Sequence, residues 1–282
     1  MREASLPIGV FDSGIGGLTV LKELQRSFPG EHLIYVGDLA RSPYGSKSAE
    51  TIRHYAGQIT RYLLSRQVKL IVVACNTASA AAGATVRQLA APVPVLEVVE
   101  LGAEAALDAV GGGGRIGILA TSTTVESGIY SDKIRALSSS KGIPVPRIMQ
   151  KACPLFVPLV EEGIWEGDLA DQIARHYLEE MSVFQPEAVI LGCTHYPLLK
   201  GAIAKSLPAG TLLIESAPAV VRAAGKILDK SGMRSLKTKD ALTEYYVSDS
   251  VEAFSRHAGR ILDRAVDLVH HVDLDACEGR EE

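Results

Sequence analysis

Short runs of β-branched and aliphatic residues alternate along the chain with stretches in which apolar residues recur every three or four positions. The runs at 8–11, 33–36, 70–74, 95–99, 116–120, 145–149, 188–192, 212–215 and 245–248 are too short for helices and predict β-strands. Between them, Ile52, Tyr55, Ile59 and Leu63 share one face of a helix that Ser48 would cap. Leu169, Ile173, Tyr177 and Met181 share one face of another that Asp168 would cap. Strands alternating with helices at this spacing predict an α/β chain built of βαβ units, with mostly parallel sheets.

A weak internal echo divides the chain. Ile8-Gly9-Val10-Phe11-Asp12-Ser13 resembles Ile116-Gly117-Ile118-Leu119-Ala120-Thr121, and each is followed later by a strand that ends in a cysteine. Two related α/β lobes are expected, residues 1–99 with 215–282 forming the first and residues 100–214 the second, with the site between them. The tetraglycine Gly111-Gly112-Gly113-Gly114 reads as a hinge or a domain start.

The two cysteines stand in matching frames, Val-Val-Ala-Cys75-Asn76-Thr77 and Ile-Leu-Gly-Cys193-Thr194-His195. Ligands of parallel α/β sheets gather beyond the carboxyl ends of the strands. Polar steps at such ends therefore point to a site, with two thiols facing one cavity. Cys153, followed by Pro154-Leu155-Phe156, reads as a buried apolar cysteine, and Cys277 falls in a charged tail that is expected to fray.

Bulk composition narrows the choices. The 282 residues are 47% hydrophobic, enough for a full core, with a net charge of −4 and a pI near 6.0. No basic stripe suggests nucleic acid, and no apolar stretch has the length of a membrane span or fits a signal peptide. A cytoplasmic protein is expected, and four cysteines without paired short spacings suggest neither a disulfide framework nor a metal site.

Gly14-Ile15-Gly16-Gly17-Leu18-Thr19 follows a strand and opens a helix, as a dinucleotide loop does, and Asp38 mimics a ribose-binding acid. The fit is poor, because Thr19 stands where the third glycine belongs and Asp12 would confront a pyrophosphate. The loop reads better as one that brings Asp12, Ser13 and backbone N–H groups to a small zwitterion.

A hydrolase-type Cys193 with His195 as its base would leave Cys75 without a role. Two thiols on opposite faces of one carbon instead suit stereoinversion, one taking a proton and the other delivering one, since a thiol pKa of about 8.5 lets either act as acid or base. A solute-binding protein also holds amino acids between two lobes, but has no use for two thiols.

Four segments carry a resemblance. These are Asp12-Ser13-Gly14-Ile15-Gly16-Gly17-Leu18-Thr19-Val20, Gly37-Asp38-Leu39-Ala40-Arg41-Ser42-Pro43-Tyr44-Gly45, Ala74-Cys75-Asn76-Thr77-Ala78 and Leu191-Gly192-Cys193-Thr194-His195-Tyr196-Pro197. In this order they resemble the glutamate racemases of the aspartate/glutamate racemase family, from about residue 7 to about residue 270. The resemblance implies that family's fold and a cofactor-independent, metal-free interconversion of L- and D-glutamate that supplies D-glutamate for peptidoglycan. It implies that Cys75 takes the α-proton of D-glutamate and Cys193 that of L-glutamate. Asp12, His195 and Glu161 would assist the thiols. Asp12, Ser13, Tyr44, Gly45, Asn76, Thr77, Thr194 and His195 would bind substrate. Leu39 and Glu215 depart from the family's usual threonine and aspartate. The short N-terminus lacks the extension with which some members bind an activator. Aspartate racemase remains the alternative, and a homodimer is left open.

Overall fold

The apolar runs form, in the computed structural model, two parallel sheets whose central strands are buried on both faces; the structure describes residues 3–239 and 241–277. Ten strands are present among the described residues: β1 Ile8–Asp12, β2 Leu33–Gly37, β3 Leu70–Val73, β4 Val95–Glu97, β5 Arg115–Ala120, β6 Arg147–Ala152, β7 Ala188–Gly192, β8 Leu212–Ile214, β9 Thr243–Val247 and β10 Val269–His271. The helices are α1 Leu18–Ser27, α2 Ala49–Ser65, α3 Asn76–Ala90, α4 Val98–Val110, α5 Ser122–Glu126, α6 Ile129–Lys141, α7 Phe156–Glu161, α8 Asp168–Phe184, α9 Lys200–Lys205, α10 Ser216–Lys230 and α11 Val251–Leu262.

One sheet has the order β10-β9-β2-β1-β3-β4 and the other β6-β5-β7-β8. The run β2-β1-β3-β4 thus recurs as β6-β5-β7-β8, with β1 matching β5 and β3 matching β7. The sequence echo falls on the matching strands β1 and β5, and each cysteine follows the third strand of its set.

In the larger sheet, Ile8 and Val10 of β1 pack with Leu21, Val220 and Phe254, while Phe11 packs on the other face with Ile52, Ile59 and Val86. In the smaller, Leu119 faces Phe156 and Leu178, while Ile116 and Ile118 face Ala103, Leu107 and Ile134. Burial on both faces makes these strands continuous apolar runs, as parallel sheets require.

The chain crosses between sheets twice, each time at a strand-to-helix step: β4 runs directly into α4, and β8 is separated from α10 by Glu215 alone. Helix α4 packs with the core of the smaller sheet, α10 with that of the larger.

Three expectations need correction. The tetraglycine lies within the second unit, linking α4 to β5, with Gly111 and Gly113 at φ 67° and 85°. The chain passes between the sheets at 97–98 and 214–216 instead. Gly167, not Asp168, is the N-cap residue of α8, and its buried face is Ala170, Ala174, Leu178 and Met181, with Leu169 exposed. The strand expected at 145–149 is β6, displaced because Arg147 pairs with Arg115, and β10 escaped notice because Val269-His270-His271 has no apolar alternation. Ser48 does cap α2, accepting a hydrogen bond from the Thr51 amide. The Cys277 side chain and the tail beyond it lie outside the described residues.

Candidate active site

Cys75 follows β3 and caps α3: its Sγ accepts from the Ala78 amide at 3.4 Å and donates to Ser13 Oγ at 3.6 Å. Cys193 follows β7, with Sγ 3.7 Å from His195 Nδ1. The cysteines are only 5% and 6% exposed.

Each cysteine turn is met by the end of the other sheet's first strand. Asp12, closing β1, accepts from Thr194 Oγ1 at 3.2 Å and from the Gly14 amide at 2.9 Å. Reciprocally, Thr121, after β5, shares a 3.0 Å hydrogen bond with Thr77 and donates to Thr124 at 3.0 Å. Thr123 donates to the Gly45 carbonyl at 2.8 Å, and Tyr130 to Asn76 Oδ1 at 2.6 Å. Thr121, Thr123 and Tyr130 escaped sequence reasoning, although the echo that aligns Ser13 with Thr121 pointed to the first of them.

The glycine loop serves close approach. A Cβ on Gly16 would lie 2.3 Å from Thr194 Oγ1 and 2.5 Å from His195 Nδ1, and one on Gly17 would lie 2.5 Å from Asp12 Cβ. Only glycine lets β1's loop seat against the Cys193 turn. Asp38, the ribose-acid mimic, is fully buried and engaged by Arg41 Nε, Tyr44 Oη and Ser248 Oγ. It braces the segment that carries Tyr44 and Gly45. Glu161, at the end of α7, sets Oε1 3.4 Å from His195 Nε2, an ion-pair distance without an aligned hydrogen bond.

Electrostatics separates the two sides. Burial, reinforced by the Asp12 carboxylate, pushes the Cys75 thiol up to about 12, against hydrogen bonds from Ala78 and to Ser13. Burial likewise raises Asp12 above the usual carboxylate range, partly offset by His195 and by the Gly17 and Gly14 amides. Burial opposes charge on His195, but Cys193 and Glu161 overcome it and raise the imidazole to about 10. At neutral pH Cys75 is therefore a thiol, a proton donor, and His195 an imidazolium beside Cys193.

Residues 8–224 match the family described as Asp/Glu/Hydantoin racemase. The chain belongs to that family. A glutamate racemase of Thermus thermophilus is 44% identical, covering 98% of this chain and 99% of its own. The structure resembles glutamate racemase from Francisella tularensis in complex with D-glutamate, with a TM-score of 0.87 at 35% identity over 97% of this chain and 99% of that one. It also resembles a Bacillus anthracis glutamate racemase isoform, with a TM-score of 0.89 at 33% identity over 95% and 98%. Members of the family are racemases, and this chain is an isomerase of the same kind. No helix among the described residues is long and apolar enough to cross a membrane.

Proposed function

We propose that this chain interconverts L- and D-glutamate by two-base chemistry at Cys75 and Cys193, without cofactor or metal. The observation that carries the reading is the placement of two buried thiols at equivalent strand ends of two repeated sheets, one bonded to Ser13 and the other beside His195. Full-length similarity to glutamate racemases supports the substrate.

From L-glutamate, the Cys193 thiolate takes the α-proton and the Cys75 thiol delivers its own proton to the opposite face. D-Glutamate results, with Cys193 now the thiol and Cys75 the thiolate; the reverse direction exchanges the roles. His195, held by Glu161, steadies the Cys193 side, and Asp12 the Cys75 side. Ser13, Asn76, Thr77 and Thr194 offer short donors to the carboxylates, and the Tyr44-Gly45 turn offers backbone N–H groups to the distal carboxylate. Charge developing on the α-carboxylate in the transition state is then met by preorganised donors.

In this reading the units 1–99 with 215–282 and 100–214 close on the amino acid. The product serves peptidoglycan synthesis in the cytoplasm, and the partner is a small molecule rather than nucleic acid or membrane. A homodimer belongs to the proposal as well, to be decided by sedimentation at working concentration. The deciding experiment incubates the purified protein with L-glutamate in D2O and follows optical rotation with α-deuteration. Rotation falling to zero with deuterium entering Cα is expected, and unchanged glutamate would overturn the reading. Parallel reactions with L-aspartate test the alternative substrate.

A further inference from the structure

Tyr130, on α6, is fully buried, and its hydroxyl reaches across to α3, donating to Asn76 Oδ1 at 2.6 Å. Asn76 is 3% exposed, and its NH2 group has no partner among the described residues. A side-chain amide has one acceptor oxygen and two N–H donors. With the oxygen held by a phenol, the NH2 group is the end left for a ligand. Burial raises the Tyr130 pKa well above that of a free phenol, so the group remains a donor at any working pH.

Tyr130 is itself held by the elements that join the sheets. A Cβ on Gly102 of α4 would lie 3.4 Å from Tyr130 Oη and 3.1 Å from the hydroxyl of Ser216, the first residue of α10. A Cβ on Gly192, just before Cys193, would lie 3.1 Å from Tyr130 Cε2. The ring therefore fills the space between both crossover helices and the Cys193 turn.

We propose that Tyr130 is a positioning residue, whose hydroxyl locks the Asn76 amide with its NH2 group toward a carboxylate of the bound amino acid. The inference rests on the amino-acid racemase reading above. The terminal torsion of asparagine is broad and roughly two-fold, so an unheld amide also presents its oxygen. Two oxygens facing each other repel, and binding weakens. Because the hydrogen bond spans the two units, the amide is set only when they are closed.

The test is a cycle of Tyr130→Phe, Asn76→Ala and the double variant, each assayed for glutamate racemisation and for D-glutamate binding by calorimetry. Wild-type turnover of glutamate establishes the underlying reading first, so its failure is separate from that of Tyr130. Loss of one buried hydrogen bond predicts that Tyr130→Phe raises KM and Kd about five- to tenfold, with kcat changed about twofold or less. In the Asn76→Ala background the same change should alter Kd by less than about twofold. Unchanged affinity in Tyr130→Phe, or the same loss with and without Asn76, overturns the proposal. The second outcome would mark Tyr130 as a packing residue only.

Discussion

Cys75 and Cys193 occupy equivalent strand ends but unequal surroundings, Ser13 and Asp12 on one side and His195 with Glu161 on the other. If each serves one face of the α-carbon, racemisation needs both, whereas elimination from an analogue with a leaving group on the β-carbon needs only deprotonation. Cys75→Ser should therefore retain elimination from the L-analogue and Cys193→Ser from the D-analogue, while both lose racemisation by several orders of magnitude. Pyruvate-type product release from each enantiomer reads this out, and equal losses on both would refute the division of labour. At Gly16 the argument is steric. A methyl there meets Thr194 and His195 well inside contact distance. Gly16→Ala should cost about 1–3 kcal/mol of stability and displace the Cys193 turn enough to lower kcat by about 10²-fold. Near-normal kcat with lowered Tm would show that the turn tolerates the shift.

At the scale of elements, β1 and β5 do the same work for opposite sheets, each ending against the other unit's cysteine turn. The class of these elements was legible because strands buried on both faces are uninterrupted apolar runs, as in 188–192, whereas Val269-His270-His271 gave no such signal and was missed. The tetraglycine does not mark a passage between sheets, because glycine content reports local backbone freedom and not where a chain crosses. Substrate should increase amide-exchange protection at the Cys75 and Cys193 turns and at the crossovers 97–98 and 214–216, leaving Gly111–Gly114 unchanged. Protection confined to the tetraglycine would restore it as the hinge.

At the scale of the whole molecule, the pocket groups make stability pH-dependent in one direction. His195 is raised from 6.5 to about 10, so its contribution is complete below pH 6.5 and lost as pH rises toward 10. Cys75, raised from 9.0 to about 12, extends that loss from pH 9 toward 12. Thermal unfolding should therefore show Tm falling from pH 6.5 upward, and His195→Gln should flatten the fall between pH 6.5 and 10. An unaltered slope would mean the imidazole is not held as the cation. The pH profile of kcat/KM should be bell-shaped, with limbs that belong to the coupled site rather than to either thiol alone.

The sequence by itself determined the α/β class, most of the strands and the two cysteine frames, because hydrophobic period and turn chemistry act over a few neighbouring residues. Tertiary structure alone decided where the sheets exchange helices, which hydroxyls meet across the interface, and which groups stand beside each buried thiol. Those outcomes depend on distances between residues far apart in the chain, such as Asp12 with Thr194 or Asn76 with Tyr130, and on the loss of water around them. Neither distance nor desolvation exists until the two sheets have packed against each other.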